Sequence, residues 1–318
     1  MKIVKTKLNY QSSYILLDIN TLKIGDITLY DLFIKKENNY VIIIEAGTLL
    51  SESLYDKLKK QENLYISQED ENKQILSCEN LKYYVRHYKD AMQKRIQLLY
   101  DVNDQLFDMF LTNKDNKIHL NCVELIVQSI IYLIKYDEIF IKNTMPYLID
   151  DFSLKVHSLH VTIYALALGN TLKFSNNELV KLGVAALLHD VGVKKIDAAI
   201  INKKSTLTTE EIAIMQKHSQ YGVDILKQNQ IIDPSILNAV IQHHERCDGS
   251  GYPKKLTKKD ITPFGSILAI CDVFDALTNN RPHRKKYKSF EALKMMMKDS
   301  EMVNQLNQDL LHLSIKLL

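Results

Sequence analysis

Seven of the ten histidines fall between residues 157 and 283. His189 and Asp190 are adjacent at the end of the apolar run LVKLGVAALLHD. An adjacent His and Asp can reach one cation together when a helix end exposes both, and a carboxylate can bridge two cations through its two oxygens. A lone His-Asp pair is a common chance match. The pair has companions, however: His157, His218, the doublet His243-His244, and Asp272 inside the apolar run ILAICDVFDAL. Taken singly, a histidine at a helix end is more simply a partner for the helix dipole. Asp272 is harder to explain that way, because a carboxylate buried among apolar neighbours needs a partner or a cation. Five imidazoles and two carboxylates, all on helices or helix ends, suffice for two octahedral ions with positions left for water and substrate. A histidine-rich set suits Fe, Mn, Zn, Co or Ni better than Mg or Ca.

The elements that must carry these residues can be read from caps and periodicity. Ser175 with Glu178, and Thr208 with Glu211, form capping boxes ahead of apolar runs. Asp233 can cap a helix that has Pro234 at its first position, and Pro263 opens another through Thr278. Residues 150–318 therefore read as a bundle of helices with short connections. Upstream, apolar positions from Leu81 to Phe110 recur with a mean spacing of about 3.6 residues, which predicts one long helix over 80–111 and another over 118–135. The long helix either packs on its own domain or serves as a signalling and homodimerisation helix. Thr28–Lys35 and Tyr40–Glu45 predict a hairpin about a polar turn, and Ser51 a helix cap. The expected fold is mainly α: a helical bundle over 150–318, a helical linker over 71–149, and a small, partly β regulatory or docking domain over 1–70.

The chain has 318 residues and a formal net charge of +3, too small to imply binding to polymeric nucleic acid. Residues 254–288 hold nine Lys or Arg against three Asp, a local excess that favours an anionic ligand. The four cysteines are scattered with no CxxC, and the longest apolar stretch is about half a membrane span. These features point to a cytoplasmic protein with no membrane insertion.

The runs HDVG, HHERCDGSGYP and VFDALTNNRPHR resemble the signature of the HD-GYP phosphodiesterases, a branch of the HD phosphohydrolase superfamily. The resemblance covers roughly residues 150–298. It implies an HD-type helical bundle that hydrolyses cyclic di-GMP to pGpG, in some members on to GMP, with two divalent metals, iron or manganese first. It implies that His157, His189, Asp190, His218, His243, His244 and Asp272 are the metal ligands, with Asp190 bridging and the His189-Asp190 pair at the catalytic centre. Arg281, Arg284 and Tyr252 are the implied substrate contacts, and the loop carrying Tyr252 the implied docking site for signalling partners. Lys285–Lys288 can equally be a solvated face.

Three departures from the pattern stand out. The usual lysine after HDxG is Val193 here, with Lys194 one step on, a rotation of about 100° on a helix, so Lys194 is only a candidate phosphate contact. Ser153 stands where some members carry a glutamate for a third metal, so two ions are expected. His160 replaces an arginine; it is either a packed helix histidine or a group supporting the ligands. The missing lysine leaves a second reading open, a cyclic-dinucleotide receptor that binds and barely cuts.

Overall fold

A computed structural model describes the chain except residues 1–13, 68–80, 82–91, 137–139, 141–147, 149–152 and 281–283 and single or paired positions at 18, 20–21, 23, 25–27, 29–30, 38, 46–47, 49, 204, 300–301, 316 and 318. The chain divides into two compact units, Met1–Asn80 and Leu81–Leu318. Among the described residues no helix is long and apolar enough to cross a membrane.

Among the described residues the first unit holds a four-stranded antiparallel sheet and one helix. Its strands are β1 (Tyr14–Leu17), β2 (Leu32–Lys36), β3 (Asn39–Ile44) and β4 (Leu64–Ser67), in the order β1-β4-β2-β3. The expected hairpin is β2–β3, closed by the pair Lys36–Asn39. Helix α1 (Glu52–Lys59) starts where Ser51 accepts the Leu54 amide. Leu32, Ile44, Leu50, Leu58, Leu64 and Ile66 form its core.

The second unit is helical. Its elements are α2 (Met92–Thr112), α3 (Leu120–Tyr136), α4 (Leu154–Thr171), α5 (Asn176–Leu188), a 3-10 turn (Val191–Lys195), α6 (Ala198–Ile201), α7 (Thr209–Met215), α8 (His218–Gln228), α9 (Pro234–Gln242), α10 (Pro263–Thr278), α11 (Ser289–Lys298) and α12 (Gln308–Ser314). Helix α4 is the centre of the bundle. It is buried continuously from Val156 to Gly169 and packs on α2, α3, α5 and α10, as a helix that is apolar on all sides must. Both capping boxes form, and Asp233 and Thr262 cap α9 and α10 ahead of their prolines. The residues 82–91 of the expected long helix lie outside the described set. Over the rest, Ile96, Leu99, Val102, Leu106 and Phe110 are buried within the unit. Along these positions α2 packs on α3 and α4. Cys122, Cys247 and Cys271 carry free thiols.

Candidate metal centre

Five helices of the second unit meet at one point. Ser153 caps α4 by accepting the Val156 amide, which sets His157 in the first turn. His189 closes α5 and Asp190 precedes the 3-10 turn. His218 opens α8, and His243 closes α9 with His244 following. Asp272 lies within α10. All seven sequence-derived ligand candidates meet here, as two donor groups: Asp190, His218, His243 and His244 in one, His157, His189 and Asp272 in the other.

Asp190 stands between the groups. Its Oδ1 is 3.2 Å from His218 Nε2 and 3.4 Å from His243 Nε2. Its Oδ2 is 3.5 Å from His189 Nε2 and 3.8 Å from His157 Nε2. Asp272 Oδ1 lies 3.3 Å from His157 Nε2, and its Oδ2 3.6 Å from His244 Nδ1.

The tautomers follow from what the other ring nitrogens touch. His189 Nδ1 donates to the Ala186 carbonyl at 2.7 Å, His218 Nδ1 to Met215 at 2.8 Å, and His243 Nδ1 to Val240 at 2.6 Å. A carbonyl only accepts, so each Nδ1 carries the proton and each neutral ring turns a lone pair inward at Nε2. His189 and His157 then oppose their Nε2 atoms at 3.2 Å, and His218 and His243 at 3.1 Å. Lone pairs held that close repel unless a cation or a proton lies between them. Asp190 Oδ1 is buried with no hydrogen-bond donor among the described residues. The donor set therefore fits divalent cations.

Electrostatics agree. Burial alone would raise the Asp190 carboxyl, but the surrounding histidines, His189 first, hold it well below the usual range. Asp272 is lowered likewise: burial opposes, and His157 and the other imidazoles prevail. Burial drives His189 down to about 4 and His244 well below the ordinary value. His157 is raised despite its burial, by Asp272 and Asp275. His218 is raised despite its burial by Asp190. The centre demands positive charge.

The loop DGSGYP folds over this site. Tyr252 stacks on His244 with centroids 4.7 Å apart. Gly249 has a φ of 80°, and a Cβ on Gly251 would sit 2.4 Å from the Arg246 amide nitrogen, so both positions require glycine. Glu245, which sequence reasoning left without a role, anchors the loop. Buried at the end of the HHE run, it accepts the backbone amides of Lys254 at 2.6 Å and Leu256 at 2.8 Å. Asp275 was also missed. It is buried one turn after Asp272, accepts from His157 Nδ1 at 2.7 Å and is lowered to about 2: burial raises it, and its hydrogen bonds from His157 and His160 outweigh that. A carboxylate behind a ligating imidazole fixes its tautomer and ring orientation. His160 belongs to the same network, donating to Asp275 at 2.9 Å.

The basic candidates fare differently. Lys194 is not at the centre. Its ammonium donates to the Phe110 carbonyl and, at 2.5 Å, to that of Asn113, and lies 4.5 Å from the Phe110 ring centroid. The expected phosphate contact is thereby corrected: the ammonium neutralises orphan carbonyls at the C-terminus of α2. Arg284 donates to Ala276 at 2.5 Å and Leu277 at 3.2 Å and packs on Tyr287, which ties part of its fork to the end of α10. Arg281 lies outside the described residues.

The HD domain family model matches residues 135–303, and the chain belongs to the HD domain family. It carries the HD-GYP signature as well. It is 33% identical over 141 residues to a cyclic di-GMP phosphodiesterase of Pseudomonas aeruginosa, which covers 44% of this chain and 34% of that protein. It is 39% identical over 129 residues to a 3'3'-cGAMP-specific phosphodiesterase of Vibrio cholerae, covering 40% of this chain and 25% of that protein. The matches thus span between 25% and 34% of the length of these relatives. An HDG"Y"P protein of Bdellovibrio bacteriovorus has the same fold, with a TM-score of 0.65, 18% identity, and coverage of 96% of this chain and 99% of that one.

Proposed function

We propose that the chain is a metal-dependent phosphodiesterase that hydrolyses cyclic di-GMP to pGpG. The observation that carries this reading is Asp190, whose two oxygens each face a pair of histidine Nε2 atoms. The relatives' names supply the substrate class, cyclic dinucleotides.

His218, His243 and His244 would hold one ion, His157, His189 and Asp272 the other, with Asp190 shared. The histidine-rich donors suit Fe, Mn, Zn, Co or Ni, and iron or manganese are the proposed metals from the resemblance to the HD-GYP family. When bound, the two ions would supply a water of lowered pKa and offset charge on the phosphate. Asp190 keeps that region anionic and orients the donors. Tyr252 covers His244 and narrows access from solvent. Arg281 and the remaining donors of Arg284 are the proposed phosphate contacts, since guanidinium forks match phosphate oxygens.

The proposed division of labour is a regulatory or docking domain over 1–70, a helical linker over 71–149 and the catalytic domain over 150–318. A cytoplasmic location and partner docking on the DGSGYP loop belong to the same proposal. Its rim, Pro253–Lys255, is exposed and basic.

The test is hydrolysis of cyclic di-GMP and of 3'3'-cGAMP by protein purified anaerobically, with metal quantified on the same sample. Turnover to pGpG with about two ions per chain supports the proposal. Preference for 3'3'-cGAMP would move the substrate within the class. Tight binding without turnover would leave a receptor, the reading that Val193 in place of lysine favours.

A further inference from the structure

One buried polar chain in the second unit runs from a helix that carries no proposed ligand to the ligand candidate His157. Tyr100, on α2, donates its hydroxyl to His160 Nε2 at 2.6 Å. His160 Nδ1 donates to Asp275 Oδ1 at 2.9 Å, and the other carboxylate oxygen accepts from His157 Nδ1 at 2.7 Å. Tyr100, His160, His157 and Asp275 are all buried. The directions follow for a neutral His160 ring. Asp275 only accepts, so both Nδ1 atoms are donors, which leaves His160 Nε2 as the acceptor for the phenol.

Each member leaves a buried polar atom unpaired if its neighbour moves, and that is costly away from water. Helix α2 is held in register on α4 by two further ties. Asn103 donates to the Lys155 carbonyl at 2.8 Å, and Lys155 pairs with Asp108 at 2.5 Å. The Tyr100 hydroxyl therefore approaches His160 from a fixed direction. Tyr100 and α2 lie outside the stretch that resembles the HD-GYP signature, and His160 is a departure from that signature.

We infer that Tyr100 and His160 are positioning residues for the metal centre: acting through Asp275, they fix the ring of His157, so the seating of α2 sets how tightly the group of His157, His189 and Asp272 holds its cation. This rests on the metal-centre reading above. A neutral hydroxyl and an imidazole stand here, the imidazole in the place of an arginine of the family pattern. They also extend the support of the ligand set to a helix that contributes no ligand.

The experiment is a Mn2+ titration of the full chain, wild type and Tyr100→Phe, with the visible spectrum of the Co2+-loaded protein as a second reading. Phenylalanine keeps the ring and removes only the hydroxyl. The expected result is two binding events in the wild type, one of them weakened about tenfold in Y100F, the lower end for partners behind a ligand. The Co2+ bands of Y100F should shift as well. In a His160→Leu background the same substitution should add no further loss. A merely structural hydroxyl would lower the melting temperature and leave both affinities and the spectrum unchanged, and that outcome overturns the inference. A wild-type chain that binds no Mn2+ or Co2+ overturns the metal-centre reading itself and the inference with it.

Discussion

The Nε2 atoms of His218 and His243 face each other at 3.1 Å, and each ring already donates its Nδ1 proton to the carbonyl three residues before it. Flipping either ring to relieve that opposition would break its hydrogen bond to that carbonyl. The repulsion is built into how α8 starts and α9 stops, and a cation removes it. Metal loading should therefore stabilise the fold. At free metal a hundredfold above the dissociation constant, each ion adds about 2.7 kcal/mol. Calorimetry of chelated and Mn2+-loaded protein should give a clearly higher melting temperature when loaded; equal temperatures would contradict the cation reading.

Each oxygen of Asp190 faces two histidine Nε2 atoms, one pair from each donor group, whereas each oxygen of Asp272 meets a single histidine, His157 or His244. Asp190→Ala should abolish loading of both ions and reduce turnover by at least about a thousandfold, since both the activated water and the charge compensation depend on them. Elemental analysis beside an activity assay reads this directly. Full activity in the variant would sink the scheme.

His157 gives the centre a pH dependence of definite sign. With the carboxylates of Asp272 and Asp275 beside it, its pKa lies above the ordinary 6.5 in the absence of metal. An incoming ion must displace that proton. Affinity should be full above the raised value and fall about tenfold per pH unit below it. The decline thus begins on the alkaline side of 6.5. His189, driven to about 4, adds no competition in that range. Mn2+ titrations between pH 6 and 9 (roughly the span where a raised imidazole titrates) would show it. A flat profile there would contradict the assignment of His157 as a ligand.

Lys194 and Val193 should separate stability from turnover. Lys194→Met removes the cation at the end of α2 and should cost about 0.5–1 kcal/mol in denaturant unfolding while leaving kcat/KM for cyclic di-GMP unchanged. Val193→Lys restores the residue expected from the family pattern at a half-buried position and should raise kcat/KM. A large activity loss in K194M would return that ammonium to the substrate.

Much of this was legible because it is local. Ser175 with Glu178, Thr208 with Glu211, and Asp233 with Pro234 declare helix starts within four residues. Four ligand candidates, His189, Asp190, His243 and His244, were legible because the signature runs contain them, and His157, His218 and Asp272 because they fall in the family's order around those runs. Asp275 carried a signal that went unused: it follows Asp272 by three residues in an apolar helix, which puts both carboxylates on one face. Tyr100 carried none, because its contact with His160 spans 60 residues and it sits beside the stripe position Leu99 with no motif of its own. The direction of Lys194 depends on where α2 ends, a tertiary fact that no rotation angle along its own segment reveals.

Glu245 joins two things that are separate in the chain, the His243-His244 doublet before it and the Lys254 and Leu256 amides beyond the loop. Those two amides can exchange with solvent deuterium only when the carboxylate lets go, and the carboxylate is covalently next to a proposed ligand. Their exchange rates are therefore a local clock for how firmly the histidine doublet is seated, readable at two backbone positions without any substrate at all.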